Sequence, residues 1–314
     1  MISFGPVSSR RLGKSLGINN ILNPKTCSYG CVYCQVGKTK KITTERAEFF
    51  KPEVIYAQVT RHLEKLADQD YPDYLTFVSN GEPTLDYNLG KSIILLKKTG
   101  LPVAVISNGS MLYDESVRNE LSLADWVSLK MDAFGSILWR KINKPSTKLN
   151  FRNHINGILE FSSIYDGILN TETMIVRDLN DTAENFSKLA DIIRMMDPST
   201  AYLSVPTRPP AEKTIKPPDN EKLNIAWQTF SARSIRTELL TGFEGTETGC
   251  TGNIYDDILN ISAVHPIRED TMEELLGKDK ADKKVIESLI RQRLISETIY
   301  RGKKFYIREY NLNI

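Results

Sequence analysis

The chain has four cysteines and three histidines among its 314 residues. That scarcity argues against a disulfide-stapled scaffold, and His62, His154 and His265 are too scattered to form a second metal motif with neighbouring carboxylates. No run of about 18 apolar residues occurs, so no membrane-spanning helix and no membrane partner are expected. The N-terminal residues lack an apolar stretch after a basic start, so a secretory leader is not expected and a cytoplasmic location is. Charge of one sign is also missing. Lys and Arg number 41 against 39 Asp and Glu, and the net +2 is too small to argue for nucleic acid by itself. The apolar and charged fractions are those of an ordinary soluble protein, long enough for one large domain and a small one.

Three of the few cysteines stand together. Cys27, Cys31 and Cys34 form C-x3-C-x2-C just after the apolar run Leu16 to Leu22. An odd cluster cannot pair off into disulfides, and a structural zinc site wants four ligands. The spare thiol, Cys250, lies far along the chain without a close partner. Iron–sulfur cubes usually take one cysteine per iron, so a tight set of three leaves one iron open to another ligand.

Short β-branched runs alternate with helical patterns, the sign of βα units around a parallel sheet. Strands are expected near Gly17–Leu22, Tyr74–Ser79, Pro102–Ser107, Trp126–Met131, Glu172–Val176 and Ala201–Val205. Helices are expected from Pro52 (with Ile55, Val59, Leu63 and Leu66 on one face), from Asp86 to Lys98, from Asp114 to Leu121, from Asn150, from Asp181 with Glu184, and from Asp219 to about Arg233. Six strands and six helices predict an α/β fold over residues 1–240, with too few units for a full eight-fold barrel. The glycine-rich stretch 241–254 reads as a linker. Residues 255–314 follow as three helical segments, Asp256–Val264, Thr271–Leu276 and Asp282–Gln292, then strands Ile295–Tyr300 and Lys304–Arg308 turning at Arg301-Gly302, a winged-helix-like arrangement. From Lys278 to Arg308 ten basic residues face four acids, the footprint of RNA or of a solvated helix face.

Several strand ends carry polar groups. In Ser79-Asn80-Gly81-Glu82-Pro83 the glycine permits close backbone approach and the carboxylate offers an acceptor for an ammonium, although Asn-Gly-Glu-Pro alone is also an ordinary turn. Ser107 and Asn108 suit a ribose or carboxylate, or a turn held by local side-chain bonds. Strand alternation points Lys130 and Asp132 to one side, as site residues or a structural salt bridge. Arg177 with Asp178, Arg208, and Arg10 with Arg11 are candidate clamps for a carboxylate or phosphate, or plain surface charges. Cys250 reads as chemically inert.

The cysteine run, with Tyr33 before its third cysteine, resembles the signature of the radical S-adenosylmethionine (radical SAM) superfamily. The flanking Phe4-Gly-Pro-Val-Ser-Ser-Arg-Arg-Leu-Gly-Lys-Ser-Leu-Gly17 and Val264-His-Pro-Ile-Arg268 further resemble a subgroup grouped with the wyosine-type tRNA-modifying synthases. The resemblance implies an open (β/α)6 partial TIM-like barrel over residues 1–240, which the six strands and six helices match, and a [4Fe-4S] cluster on Cys27, Cys31 and Cys34, with S-adenosylmethionine (SAM) on the open iron. It implies SAM contacts from Tyr33, Asn80, Gly81, Glu82, Pro83, Ser107, Asn108, Lys130 and Asp132. The chain departs from the family's Gly-Gly-Glu at Asn80, and it lacks cysteines for the additional cluster of the wyosine synthases. Reductive cleavage of SAM to a 5′-deoxyadenosyl radical for substrate hydrogen abstraction is the implied activity, with tRNA or other nucleic acid as a candidate substrate and a ferredoxin or flavodoxin as electron donor. A radical-generating activase of a partner protein and a non-catalytic, metal-dependent winged-helix regulator are the alternatives.

Overall fold

The computed structural model describes residues 2–310. Its first part builds strands β1 (Ser3–Ser9), β2 (Gly13–Ile18), β3 (Thr26–Cys27), β4 (Lys41–Ile42), β5 (Tyr74–Phe77), β6 (Val103–Ser107), β7 (Trp126–Lys130), β8 (Ile168–Met174), β9 (Thr200–Ser204) and β10 (Thr237–Leu240). Helices α1 (Pro52–Leu63), α2 (Leu89–Leu96), α3 (Glu115–Leu121), α4 (Ser136–Ile142), α5 (Phe151–Ile164), α6 (Ala183–Met196) and α7 (Asn220–Ser231) connect them.

The fold is α/β around an open eight-stranded sheet in the order β1-β2-β5-β6-β7-β8-β9-β10. From β2 onward every pairing is parallel, which makes seven parallel strands where the sequence predicts six. The added strand is β10, hidden in the short run after α7, and β1 joins the edge as an antiparallel hairpin partner of β2. The first predicted strand, Gly17–Leu22, also moves: β2 lies at Gly13–Ile18, because the apolar run continues into the loop that leads to the cysteines. Likewise the predicted Glu172–Val176 lies at Ile168–Met174.

Strand alternation sorts the two faces. Leu75, Phe77, Val103, Val105, Val127, Leu129, Ala201 and Leu203 pack outward against helical Ile55, Ile93, Phe161, Phe186, Leu189 and Phe230, forming the main core. The alternate residues face the concave side. Low in that concavity, Ala104, Trp126, Tyr202 and Leu240 close around Leu12, from the turn of the β1–β2 hairpin. The hairpin turn therefore plugs the floor.

Helix starts follow local chemistry. Asp114 accepts from Ser116 N to cap α3, and Asn150 accepts from Arg152 N and Asn153 N to cap α5. For α6 the cap is Thr182, accepting from Asn185 N, one residue after the predicted Asp181. The predicted helix from Asp86 begins later, at Leu89, after a short 3-10 turn.

After the barrel, the glycine-rich stretch lies along the edge strand: Ser8 N donates to Glu247 O (3.1 Å), Gly249 N to Pro6 O (2.7 Å), and Val7 bridges Thr248. Then come α8 (Ile254–Val264), β11 (Ile267–Arg268), α9 (Glu269–Lys278), α10 (Lys284–Arg291), β12 (Ile295–Tyr300) and β13 (Lys303–Arg308), with a sheet ordered β11-β13-β12. Their core of Ile258, Ile261, Met272, Leu275, Leu289 and Tyr306 includes Phe4 of β1, so the C-terminal elements are bound to the barrel's edge. No helix of the described residues is long and apolar enough to cross a membrane.

Candidate functional site

The cysteine loop leaves β2 and crosses the C-terminal ends of the parallel strands, where an α/β barrel carries its chemistry. It is fastened at both ends. Thr26 and Cys27 pair with Lys41 and Ile42, while Gly30 N donates to the carbonyls of Asn143 and Lys144 and Val32 N to Ile142 O. Cys27, Cys31 and Cys34 are all free and half-buried. Each sulfur has a nitrogen donor: Lys25 Nζ at 2.9 Å from Cys34, Asn143 Nδ2 at 3.5 Å from Cys31, and Tyr29 N at 3.4 Å with Asn108 Nδ2 at 3.6 Å from Cys27. Burial pushes the Cys27 thiol up to about 12 and raises Cys31 as well, the neighbouring sulfurs adding to the rise. A positive centre must therefore displace their protons on binding. Among the described residues no three or more His, Cys, Asp or Glu side chains converge on one metal ion. A cluster whose thiolates bind separate irons does not need them to, and sulfurs supplied with N–H donors fit one well.

Glu82 follows β5 and is 2% exposed. Its Oε1 accepts from Thr84 N (3.2 Å), Thr84 Oγ1 (2.7 Å) and Ser107 Oγ (2.7 Å), and its Oε2 from Asn108 N (2.8 Å). Burial lifts this carboxyl above its usual value while those bonds oppose the rise. A carboxylate has about four lone-pair sites, so Oε2, with its single donor, can accept once more. Pro83 directs the chain away in a short 3-10 turn. Asn80 is tied back to the loop, its N to Asn19 Oδ1 (2.9 Å) and its amide to Asn23. Its own Oδ1 is buried without a hydrogen-bond partner.

Asp132 and Lys130 take different partners. Asp132 accepts from Tyr33 OH, from Asn143 Nδ2 (2.7 Å) and from Met174 N (2.8 Å), which fastens the cysteine loop to β8. Lys130 instead reaches Glu172 Oε1 (2.6 Å), and Glu172 also accepts from Ser204 Oγ (2.8 Å) and is paired with Arg11. Burial alone would raise the Glu172 carboxyl, but Lys130 and Arg11 hold it far below the ordinary range.

Lys130, Glu172, Arg11 and Ser204 line a cavity of about 270 Å³ in the concave face, with Cys34, Tyr33, Arg10, Arg208, Glu244 and His265 on its wall; Asp132, Glu82, Asn80, Ser107 and Asn108 lie outside its lining. Arg208 donates to Glu244 Oε1 (2.5 Å) and to His265 Nε2 (2.6 Å), so the glycine-rich stretch and the C-terminal elements complete the wall. Burial and the adjacent guanidinium press His265 down to about 3, leaving it neutral.

The other candidates lie elsewhere. Arg177 pairs with Asp219, and Asp178 is exposed. His62 is a structural link, Nδ1 to Ser3 Oγ (2.9 Å) and Nε2 to Gly5 O (3.0 Å). His154 stacks on Trp139 at 5.4 Å between centroids. Cys250 packs at the margin of the C-terminal core, its thiol raised to about 11 by burial and nearby carboxylates. Sequence reasoning did not single out Lys25, Asn143, Glu172 or Glu244. Lys25, two residues before Cys27, and Glu172, an acid facing Lys130 across a strand pair, left some trace; Glu244 in a glycine-rich stretch left none.

A thiol loop lies over the strand ends of an open parallel barrel beside a buried glutamate wired to the next strand, the place where such a barrel carries an enzyme's chemistry. The chain belongs to the Radical SAM superfamily, whose sequence pattern it matches over residues 24–190. It is 42% identical, over 98% of its own length and 96% of the other's, to UPF0026 protein MJ1312 of Methanocaldococcus jannaschii. Among solved structures it resembles TYW1 with a lysine-pyruvate adduct bound (TM-score 0.53, 17% identity, 71% of this chain and 75% of that one). It also resembles a radical SAM methyltransferase from Sphaerobacter thermophilus (TM-score 0.54, 14% identity, 72% and 66%). At those identities the structural likeness speaks to the fold alone.

Proposed function

We propose that Cys27, Cys31 and Cys34 hold a [4Fe-4S] cluster and that Glu82, Asn80, Ser107 and Asn108 form the adjoining SAM site. The observation that carries this is Asn108: its side chain donates to Cys27 Sγ at 3.6 Å while its backbone donates to Glu82 Oε2 at 2.8 Å. One residue thus sets the thiol and the carboxylate side by side. Bound together, cluster and SAM supply a carbon radical that abstracts a substrate hydrogen, chemistry that belongs to the cofactors. The chain's own residues do the rest. Lys25, Asn108 and Asn143 donate to the sulfurs and offset their negative charge, which raises the potential of such a centre. Glu82 Oε2 and the orphaned Asn80 Oδ1 offer acceptors for an ammonium group, and Asp132 fixes Tyr33 and with it the loop.

The test is anaerobic reconstitution with iron and sulfide, then SAM and dithionite. The expected result is four-iron absorbance and 5′-deoxyadenosine formation, both lost in Cys27→Ala. Wild-type protein that forms neither overturns the assignment.

The substrate reading is RNA. We read the order α8, β11, α9, α10, β12, β13 as a winged helix and propose it as a separate domain over 255–314. Lys284 and Arg291 on α10 and Arg301 and Lys303 at the β12–β13 turn are exposed, where such a fold presents its recognition helix and wing. Lys283 and Lys304, by contrast, are paired with Glu273 and Glu269. Filter binding of bulk tRNA across a salt series should show affinity falling as salt rises, and less steeply in Arg291→Gln/Arg301→Gln. Salt-insensitive or absent binding removes RNA and favours the activase reading.

A further inference from the structure

Four cationic side chains line the barrel cavity, Arg10, Arg11, Lys130 and Arg208, against two carboxylates, Glu172 and Glu244. His265, neutral, adds no charge. Glu172 is already shared by Lys130, Arg11 and Ser204, and Glu244 gives Oε1 to Arg208 while its buried Oε2 has no hydrogen-bond partner. Four against two leaves a surplus of two positive charges around a partly enclosed space, with Arg10 at its exposed rim. An ammonium carries three donors and a guanidinium five, so Lys130, Arg11 and Arg10 keep N–H groups beyond those on Glu172 and on Gly242 O. Uncompensated charge behind low-dielectric walls draws in a counter-ion of the opposite sign.

The source of these cations matters. Arg10 and Arg11 come from the hairpin turn whose Leu12 plugs the barrel floor, and Ser9 Oγ accepts from the backbone N–H of both Arg11 (3.3 Å) and Leu12 (3.2 Å). The turn is thereby held rigid, with both guanidiniums delivered to the cavity. Hydroxyls ring the same space, Ser15 bonded to Thr76 (2.7 Å) and Ser204 to Glu172 (2.8 Å).

We infer that this cavity is the substrate pocket and that the part of the substrate it takes is an oxyanion, a phosphate ester, as in RNA, or a carboxylate. Its charged end sits against Arg10, Arg11 and Lys130, and its remainder extends toward the wall formed by Cys34 and Tyr33. What the pocket is for rests on the radical SAM reading above; that an oxyanion binds there does not. Arg208, pinned between Glu244 and His265, holds the wall that the C-terminal elements supply and is a positioning residue.

Isothermal titration of the full-length protein with inorganic phosphate and, separately, succinate tests this and distinguishes phosphate from carboxylate recognition. The expected result is saturable binding of at least one probe, weakened about tenfold or more in Arg11→Gln, as loss of a charged hydrogen bond implies. Because Arg11 also pairs with Glu172, Arg10→Gln is the second variant; its exposed head group can be changed without disturbing the core. Arg236→Gln, exposed on the far edge beside Glu238, should bind as the unaltered protein does. No saturable binding of either probe, or binding equal in all variants, overturns the inference. The same preparation, reconstituted, is assayed for 5′-deoxyadenosine. Normal SAM cleavage without anion binding sinks the pocket assignment alone, whereas anion binding without SAM cleavage sinks the radical SAM reading and leaves the oxyanion site standing.

Discussion

Gly81 lies so close to Thr26 that a methyl group added at Gly81 would meet the Thr26 carbonyl oxygen at 1.7 Å, and its φ of +150° lies in a region that side chains rarely adopt. The two residues form a parallel bridge, and Glu82 N donates to the same carbonyl at 3.3 Å. That contact seats the glutamate against the start of the cysteine loop. Gly81→Ala must push β3 away or distort both segments. The expected cost is about 2 kcal/mol or more in urea unfolding, with weaker SAM binding by equilibrium dialysis. An unchanged unfolding midpoint would show that the contact yields freely.

Glu172 is the shared partner of Lys130 and Arg11, and removing its charge leaves two half-buried cations facing each other. Glu172→Gln should destabilise the protein by about 3–5 kcal/mol. The sign with pH follows from its depressed carboxyl. The stability it provides is present above the ordinary unfolded glutamate value, about 4.3, and is lost as pH falls from there toward the lower folded value. Urea midpoints of the variant should therefore fall less steeply below pH 5 than those of the unaltered protein; parallel curves would contradict this.

Asp86 behaves oppositely. Burial raises it from 3.8 to about 6, against bonds from Asn88 N and Asn20 Nδ2. Between those values the folded state holds more protons than the unfolded chain, so this group makes stability fall as pH rises from 3.8 to about 6, with no further change above. Asp86→Asn should remove that slope, read as unfolding midpoints at pH 4.5 and 7. A variant with the same pH dependence would show that Asp86 titrates normally.

Leu12 is 3% exposed among Trp126, Tyr202 and Leu240. Leu12→Ala should cost about 2–5 kcal/mol, the range for emptying a packed leucine site. It should also weaken phosphate binding by loosening the turn that carries Arg10 and Arg11. Loss of stability with phosphate affinity intact would uncouple the plug from the pocket.

The sequence showed most where one short pattern decides. Alternation points Lys130 and Asp132 to one side, and of the two only Lys130 lines the cavity while Asp132 holds the cysteine loop; the cysteine spacing marked that loop, and Asp114 and Asn150 cap the helices they were expected to start. Strand β1 escaped notice because Ser3-Phe-Gly-Pro-Val-Ser-Ser9 has the composition of a turn, and its pairing is decided by Gly13–Ile18 opposite. Helix α4, seven residues without a side-chain cap, had no start signal either. The partnership of Lys130 with Glu172 needs the register between β7 and β8, which no local pattern reveals. Glu244 and His265 reach the cavity from segments more than a hundred residues beyond Lys130, so only the folded chain unites them.

The stretch that lies along β1 has a consequence for the molecule in a crowded solution. An unpaired edge strand is a template on which a second chain can build. Here Pro6 O and Ser8 N are already engaged by Gly249 and Glu247 of the same chain. The segment that closes the wall of the cavity also denies strangers a place to add a strand, so a version cut at residue 240 should lose its pocket and its solubility together.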